Sequence, residues 1–492
     1  MNNHHDFIEM VRAGVKISQS SPRPEVMANA ALSILNISPK TRRAFPSRIG
    51  WYAIILRFLK SLVSVLLVLC QSLPALWQRK ITFTEPCDIL IISHLVNLKH
   101  LDARDDFYFG PLSSDMASTG LRTQTVLINH INATPGEVDR NGQRTTILQA
   151  NCGPVTELFN FFNLVLKAFA LKFDKIEPRW YGFGRFAVAS AFDKRALANL
   201  RIHNQIRQAV TAMRPGVIIH TYEGHGWERM VAQTAHAQSW PITVIGYNHS
   251  VLFPGPRAID FVQGNGRDPD YVCFAGKITS SIFMQESAFD PENVFVLGST
   301  KLDNIHADGQ KSHPAQHPCC LVVPEGEMSE TKLMATVTIN AARMMPEVEF
   351  VLRLHPVLDL AAVQSAIPAL GSPPANFSFS KASLEHDLVQ ADWLIYRASS
   401  VVLNGLQAGI TPIYLNTDQS QPWNDPLPQW VNFRHVADNI DELVGIMKTE
   451  IQGRHKGKKK KITEGMKFAA DYSTKFDTAR LMKTIERHSA RP

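Results

Sequence analysis

The amino-acid sequence predicts an α/β fold in which two doubly wound domains face each other across a cleft. Two series of short apolar segments carry this prediction, together with a polar stretch over residues 301–318 that separates them. The segments lack polar alternation, which is typical of strands covered on both faces of a parallel sheet. The length of 492 residues also exceeds what one compact core usually organises. In such folds, ligands bind beyond the carboxyl ends of the strands.

The first series of apolar segments lies within residues 81–300, which we assign to a first Rossmann-like domain. A segment with helical character, Lys194–Met213, lies between its strands, as expected of βαβ units. The predicted strands are Asp88–Ile92, Thr125–Ile128, Gly216–His220, Ile242–Tyr247, Tyr271–Phe274 and Val294–Leu297.

The second series begins after residues 301–318, a polar segment with histidine, glycine and prolines that is typical of a linker. Strands alternate with helical stretches over residues 319–450, which predicts a second Rossmann-like domain. Residues 451–492 form a basic C-terminal helical tail that contains the run Lys456–Lys461. The predicted strands are Cys320–Val323, Phe350–Arg353, Trp393–Tyr396 and Pro412–Leu415, and the predicted helices are Ser329–Met344, Leu384–Ala391 and Val401–Ala408.

Residues 1–80 form an N-terminal extension whose apolar part is Trp51–Trp77. Its uncharged portion, Ser61–Gln78, is at the short end of the roughly 17–25 residues that a membrane span needs, and it contains Pro74. The flanking basic residues are Arg57, Lys60, Arg79 and Lys80. Three interpretations stay open: a helix in the interface of an anionic membrane, a buried helix, and a span.

The composition narrows the class of partner. Hydrophobic residues make up 45% of the chain and charged residues 19%, which fits a globular protein. The net charge of +7 suits an anionic ligand or an anionic membrane surface, and the absence of nucleic-acid-binding motifs argues against nucleic acid. Six cysteines without a CxxC pair indicate a reduced, cytoplasmic protein.

A histidine follows a predicted strand of the second domain at His355-Pro356. Pro356 fixes the direction of the chain after the strand, and His355 can then donate a hydrogen bond or a proton to a phosphate in the cleft. The alternative is a turn histidine that caps a carbonyl group. Arg353, just before it, could add positive charge near a phosphate or a carboxylate sugar.

Two further loops of the second domain are candidates for nucleotide contacts. Ser399-Ser400 lie between a strand and a helix, where Ser399 could cap the helix and the exposed amides could bind an anion. Arg397 precedes them and could add charge. Glu325-Gly326 follow the first strand, and Gly326 would allow close approach of the backbone. Ordinary capping and an ordinary surface turn are the alternatives.

An acidic residue follows a strand of the first domain at Glu223-Gly224. Glu223 could act as general base toward an acceptor hydroxyl, with its pKa tuned by partial burial. Glu228 and Arg229 could form a structural ion pair at a helix start. The pair Asp105-Asp106 is a rival acidic site.

These motifs resemble those of the bacterial sialyltransferases and Kdo-transferases, a group of GT-B glycosyltransferases that use CMP-activated acid sugars. The resemblance extends over about residues 85–450. It implies that Glu223-Gly224 carry the base, that His355-Pro356 contact the departing phosphate, and that Ser399-Ser400 clamp it. Tyr222 stands where the group often has a second acid. The same layout is also similar to glycerophosphotransferases of wall teichoic acid synthesis, which use a CDP-linked donor.

The resemblance implies an inverting single displacement that moves a sugar from a CMP-linked donor to a surface polysaccharide or glycolipid of a bacterium. It implies no metal or other cofactor, and a cytoplasmic protein at the inner face of the plasma membrane. Asp268-Pro269-Asp270 has the letters of a metal motif but lies before a strand. Three alternatives remain: a CDP-linked polyol-phosphate transferase, a sugar-nucleotide epimerase, and a non-catalytic scaffold of a polysaccharide assembly complex.

Overall fold

The computed structural model describes residues 51–73, 81–83, 85–103, 105–140, 142–169, 194–254, 257–299, 317–417, 425–428, 430–453 and 458–489. Most of the predicted N-terminal extension and nearly all of the predicted linker lie outside these residues. Within them the chain forms two parallel-sheet domains, as the sequence predicts.

The first sheet has eight strands in the order β3-β4-β2-β1-β5-β6-β7-β8. All its pairs are parallel except β3 with β4. That antiparallel hairpin was not predicted, because its segments are short and polar. The strands are β1 (Ile89–Leu95), β2 (Thr123–Asn129), β3 (Gly136–Arg140), β4 (Gln143–Ile147), β5 (Val217–Thr221), β6 (Thr243–Asn248), β7 (Tyr271–Phe274) and β8 (Val294–Val296).

Helices cover both faces of this sheet, since β1, β5 and β6 are buried at every position and carry apolar residues on both faces. The helices are α1 (Trp51–Ser72), α2 (Lys99–Asp102), α3 (Leu112–Ser118), α4 (Pro154–Phe169), α5 (Lys194–Met213), α6 (Gly226–His236) and α7 (Lys277–Glu286). Short 3-10 turns lie at Ala258–Asp260 and Pro291–Asn293.

Of the predicted apolar segment 51–77, residues 74–77 lie outside the described residues, and the rest forms α1, which packs on α4 and α5. Val65 is buried there against Phe161 and Leu197. None of the helices in the described part of the chain is long and apolar enough to cross a membrane.

The second sheet has six parallel strands in the order β11-β10-β9-β12-β13-β14. Its four central strands are those that the sequence predicts, and the two edge strands are additional. The strands are β9 (Cys319–Val323), β10 (Glu349–Leu352), β11 (Phe377–Phe379), β12 (Trp393–Tyr396), β13 (Thr411–Leu415) and β14 (His435–Ala437). The helices are α8 (Met328–Met344), α9 (Leu360–Ala366), α10 (Leu384–Gln390), α11 (Val401–Gln407) and α12 (Ile440–Ile451), with a 3-10 turn at Pro368–Gly371.

The C-terminal segment connects the two domains through α13 (Lys458–Tyr472) and α14 (Thr478–Ser489). The first of these helices packs on α11 of the second domain, and its Tyr472 hydroxyl accepts a hydrogen bond from the Leu252 amide of the first domain at 3.0 Å. Leu481 and Ile485 of α14 are buried in the core of the first domain. The segment predicted as a basic tail is therefore an integral part of both cores.

Candidate functional site

Histidines and one carboxylate gather at the carboxyl edge of the first sheet. Strands β2, β1, β5 and β6 are neighbours, and each delivers one of these side chains at or just after its end. They are His130, His94, Glu223 and His249 in that order across the sheet. Because parallel strands end at the same edge, residues that are far apart in sequence meet here.

Glu223 lies between two imidazoles. Its carboxylate oxygens are 3.1 Å from His249 Nε2 and 3.4 Å from His225 Nε2, and the Ser250 hydroxyl donates a hydrogen bond to it. Burial opposes ionisation, but the contacts with His225, His249 and Ser250 prevail and hold the pKa of Glu223 well below its usual range. Glu223 is therefore a carboxylate at neutral pH, and the neighbouring histidines, rather than burial, set its charge.

The loop that carries Glu223 is held by Glu228, at the start of α6. The buried Glu228 carboxylate accepts hydrogen bonds from the amides of Glu223 at 3.0 Å, Gly224 at 2.8 Å and His225 at 2.8 Å. Gly224 has a φ of +86°, and a Cβ atom there would overlap Ala258, so only glycine fits. Burial raises the pKa of Glu228 to about 7.

The predicted ion pair between Glu228 and Arg229 is wrong. Arg229 instead pairs with Asp268 and donates to the carbonyl groups of Ala258 and Phe261 at 3.1 Å each. Glu228 and Arg229 are consecutive on a helix, so their side chains do not face each other. Through these contacts Arg229 stabilises the position of residues 258–268 next to α6.

A hydrogen-bonded chain of neutral groups runs beside Glu223. His94 Nε2 lies 2.8 Å from the Thr221 hydroxyl, and His94 Nδ1 lies 2.9 Å from His130 Nε2. Burial, reinforced by the repulsion between two protonated rings, lowers the pKa of His94 to about 3, and burial also lowers the pKa of His130. The rival acid Asp106 accepts from the Ser93 hydroxyl at 2.8 Å and from nearby amides, so it orders its own loop.

A pocket of about 460 Å³ opens next to this cluster, within the size range of small-molecule sites. The loop after β5 lines one side of it through Gly224–Trp227, and α5 lines the other through Arg201 and Gln205. His94 and His130 complete the wall on the sheet side. His225 thus lines the pocket and also contacts Glu223.

The predicted nucleotide-binding residues lie at the carboxyl ends of β10, β9 and β12, which are neighbours in the second sheet. Pro356 and Val357 are the central residues of a turn closed by the Leu358 amide and the His355 carbonyl at 2.9 Å. His355 Nδ1 accepts from the Val357 amide at 3.3 Å, so in the neutral ring Nε2 carries the proton. Burial lowers the pKa of His355, which favours that neutral form.

Gly326 and His355 are in direct contact across the two loops. A Cβ atom on Gly326 would lie 3.0 Å from His355 Nδ1 and 2.8 Å from Val357 Cγ2. Next to Gly326, burial and the charges of Glu330 and Glu327 raise the pKa of Glu325 to about 7. The structure therefore brings Glu325, Gly326, His355 and Pro356 together.

The Ser399-Ser400 pair precedes α11, after a residue with a left-handed backbone, Ala398, whose φ is +53°. Ser399 is buried, whereas Ser400 is exposed and occupies the N-cap position. The prediction that Ser399 caps this helix is wrong: the cap residue is Ser400, and no side-chain capping bond is formed. Ser400 has a helical backbone (φ −67°, ψ −15°) instead of the extended conformation that is typical of a capping residue.

The two arginines predicted near the phosphate are both engaged in ion pairs. The fully buried Arg397 donates to Glu330 at 2.5 Å and to the Leu415 carbonyl at 3.0 Å. Arg353 donates to Asp387 at 2.7 Å. Both arginines therefore serve the framework of the second domain.

The two edges approach each other through the loop after β6. Ser250 contacts Glu223, and the next residue, Val251, packs on the core cluster of the second domain that includes Tyr396 and Leu403. Sequence reasoning missed His94, His130 and His249, although each follows an apolar run in the same way as His355. That repeated pattern is the signal that could have found them.

No protein-family model matches the chain, and no curated protein sequence does. Among solved structures, it is similar to the glycotransferase of kitacinnamycin, with 14% identity, coverage of 82% of this chain and 99% of the other, and a TM-score of 0.50. It is also similar to CalG4, the calicheamicin glycosyltransferase, with 12% identity, coverage of 82% and 99%, and a TM-score of 0.50. The UDP-GlcNAc 2-epimerase from Neisseria meningitidis bound to UDP-GlcNAc matches with 10% identity, coverage of 82% and 100%, and a TM-score of 0.46. The predicted GT-B fold is confirmed.

Proposed function

We propose that this protein is a glycosyltransferase of the GT-B type that moves a sugar from a nucleotide-activated donor to an acceptor hydroxyl. The observation that carries the proposal is the ionised Glu223 held between His225 and His249, because His225 also lines the 460 Å³ pocket. A carboxylate–imidazole pair beside a pocket is suited to removing a proton from a bound hydroxyl.

The acceptor-side chemistry uses Glu223 together with His225. A carboxylate with a low pKa is a weak base by itself, but it orients an imidazole and stabilises the imidazolium that forms. The acceptor oxygen forms its bond to the anomeric carbon as the bond from that carbon to the donor phosphate breaks. Its proton passes to the His225–Glu223 pair, and the phosphate leaves with the electron pair. Attack from the opposite face inverts the anomeric configuration.

The donor-side chemistry uses the loops of the second domain. His355 Nε2–H donates to the leaving phosphate, and the backbone at Gly326 and the hydroxyls of Ser399 and Ser400 add further donors. Glu325, with a pKa near neutrality, is partly protonated and can donate to the nucleotide. The donor is CMP-linked in this proposal, on the strength of the sequence resemblance. The reaction uses no metal or other cofactor, and Asp268 of the Asp-x-Asp letters is occupied by Arg229.

The proposed acceptor is a surface polysaccharide or glycolipid of a bacterium, such as a capsule or lipopolysaccharide precursor, and the proposed location is the inner face of the plasma membrane. The sequence resemblance and the net charge of +7 support this assignment. A CDP-linked polyol-phosphate transferase, an epimerase and a scaffold are the outcomes against which the proposal is tested.

The first test is thermal unfolding with CMP, CDP, UDP, GDP or NAD. A ligand at roughly 100 times its dissociation constant adds about 2.7 kcal/mol of stability. We expect CMP to stabilise the wild type, His355→Ala to lose most of that effect, and the exposed His386→Ala in the same domain to keep it. Stabilisation by UDP alone would discard the CMP assignment and keep the fold. No stabilisation by any nucleotide would refute the enzyme proposal in favour of the scaffold.

The second test separates transfer from epimerisation. With a donor that binds, Glu223→Gln should lower sugar transfer by roughly 10²–10⁴-fold while the nucleotide still stabilises the protein. Conversion of the donor sugar to its epimer without any acceptor would identify an epimerase instead.

A further inference from the structure

Helices α1 and α4 leave a large apolar surface uncovered beside the acceptor pocket. Their exposed apolar residues recur every three or four positions, so they form one stripe on each helix. We call these two stripes the outer face. Its members are Tyr52, Ile55, Leu56, Leu59, Val63, Leu66 and Leu67 of α1, with Leu73 just beyond it, and Val155, Leu158, Phe159, Phe162 and Leu166 of α4.

The apolar side chains of the outer face are strongly exposed to water, which favours burial in an apolar environment. Val155 is 77% exposed, Leu166 71% and Phe159 68%. Proteins in water rarely expose contiguous apolar patches larger than roughly a few hundred Å². The opposite sides of the same helices are already used, because Val65 and Phe161 pack together there.

The charges around the outer face select an anionic partner. Helix α1 contains two basic residues, Arg57 and Lys60, and no acidic residue. Helix α4 contains Lys167 and one acid, Glu157. The Glu157 side chain is fully buried and bound by Arg201 at 2.5 Å, so it adds no negative charge to the surface. An apolar stripe on helices of basic composition, with Lys60 exposed on α1, is typical of helices that lie in the interface of an anionic bilayer.

The pocket adjoins the outer face through one helix. Leu197 of α5 packs on α1 and α4, whereas Arg201 and Gln205 of α5 line the pocket. Arg201 lines the pocket and also donates a hydrogen bond to Glu157 of α4, so one side chain contacts both the pocket and α4. A helix with its side chains is about 10–12 Å across, so the thickness of α5 separates the pocket from the sides of α1 and α4 on which Leu197 packs.

We propose that the outer face lies in an anionic bilayer surface and that the pocket receives the saccharide headgroup of a lipid-linked acceptor. This inference rests on the proposed function and narrows its acceptor from glycans in general to a membrane-anchored one. The lipid chain stays in the bilayer beside α1 and α4 while the sugar hydroxyl reaches His225 and Glu223.

Vesicle flotation tests the bilayer contact. The wild type should float with vesicles of phosphatidylcholine mixed with phosphatidylglycerol, and more weakly with phosphatidylcholine alone. Leu59→Glu and Phe159→Glu should each lower the partition by roughly tenfold or more. Ile451→Glu, at an exposed apolar residue of the second domain, is the matched control and should not change it. Lys60→Glu should lower partition only on the anionic vesicles, by roughly fivefold or more.

Cys70 provides a native probe of depth, because it is exposed on α1 whereas Cys87, Cys273, Cys319 and Cys320 are buried. Burial raises the pKa of the half-buried Cys152 to about 12, which keeps it unreactive. An environment-sensitive fluorophore on Cys70 should shift to the blue on anionic vesicles and be quenched by brominated acyl chains. Cys70→Ser controls for labelling elsewhere. An unshifted probe on bound protein would overturn the proposed orientation.

Two further outcomes decide the inference. If sedimentation shows a dimer in the absence of lipid that Leu59→Glu dissociates, a second copy covers the outer face and the bilayer proposal fails.

For the acceptor, labelled CMP- and UDP-sugars are offered with vesicles of extracted bacterial lipid or with the aqueous polysaccharide of the same cells. We expect label in the lipid fraction, and transfer only to aqueous polysaccharide would refute the lipid-linked acceptor.

Failure of this inference is distinguishable from failure of the proposed function. Nucleotide-induced thermal stabilisation reports on the second domain and does not involve the outer face. Variants that lose vesicle binding should keep that stabilisation in full. A protein that binds nucleotide and transfers sugar but ignores vesicles would retain the function and lose this inference.

Discussion

Replacing Glu228 by alanine removes the acceptor of three backbone hydrogen bonds beneath the catalytic loop. The Gly224 amide is buried and would be left unpaired, at a cost of about 1–3 kcal/mol. The amides of Glu223 and His225 lie at less buried residues and can reach water, so each adds about 0.5–1 kcal/mol. Glu228→Ala should therefore lower the free energy of unfolding by about 2–5 kcal/mol, measured by urea denaturation near pH 6.

The loss should also depend on pH. The folded pKa of Glu228, about 7, is above its value in the unfolded chain. This group's contribution to stability is complete below the unfolded pKa and declines as the pH rises through the folded one. From about pH 6 to pH 8 the wild type should lose about 1 kcal/mol that Glu228→Ala does not lose, so the two proteins converge.

Glu228→Gln is the control, because its amide oxygen still accepts a hydrogen bond but does not titrate. It should lower the free energy of unfolding by less than Glu228→Ala does, and its own free energy of unfolding should not share the pH dependence that Glu228 gives the wild type. A Glu228→Ala protein within about 0.5 kcal/mol of the wild type at pH 6 would refute the view that the Glu228 carboxyl group holds the loop.

Three further predictions concern other parts of the molecule. Glu330→Ala should lower the free energy of unfolding by about 3–5 kcal/mol, because it leaves the fully buried Arg397 without its partner. In the wild type, burial lowers the pKa of His220 to about 4, so the free energy of unfolding falls as the pH is lowered. His220→Asn should show a smaller fall in the free energy of unfolding on acidification. The stabilising contribution of His220 is complete above an unfolded pKa near 6.5 and declines on acidification, by about 2 kcal/mol at pH 5. Gly276→Ala should cost about 1–3 kcal/mol, because its Cβ would overlap the carbonyl of Tyr472 in α13.

Each of these predictions has a control measured by the same urea denaturation. Adding Arg397→Met to Glu330→Ala should recover much of the loss, and no recovery would contradict the buried-charge explanation. His386→Asn, at an exposed histidine, should leave the acid slope unchanged. Gly371→Ala has open space around its Cβ position and should be tolerated; equal costs at both glycines would contradict the overlap at Gly276.

Several elements of the fold could be predicted because their signal is local. Strands β9 and β12 are uninterrupted apolar runs and β5 begins with one, and a run of that kind is buried in a parallel sheet that is covered on both faces. The position of His355 at the end of β10 follows from the same logic. The hairpin β3–β4 and the edge strands β11 and β14 were not predictable in this way, because edge strands are short and half exposed and lack a continuous apolar run.

The sequence by itself determined the two-sheet architecture and the strand ends at which Glu223, Gly326, His355 and Ser399 would lie. Only the tertiary structure decided which side chains meet there. His249 and Glu223 are brought together by neighbouring strands, and Glu223 owes its low pKa both to His225 of its own loop and to His249, which no local pattern connects with it. The physical reason is range: apolar periodicity acts within one element, whereas ion pairing and hydrogen bonding depend on distances between elements that the packed chain alone sets.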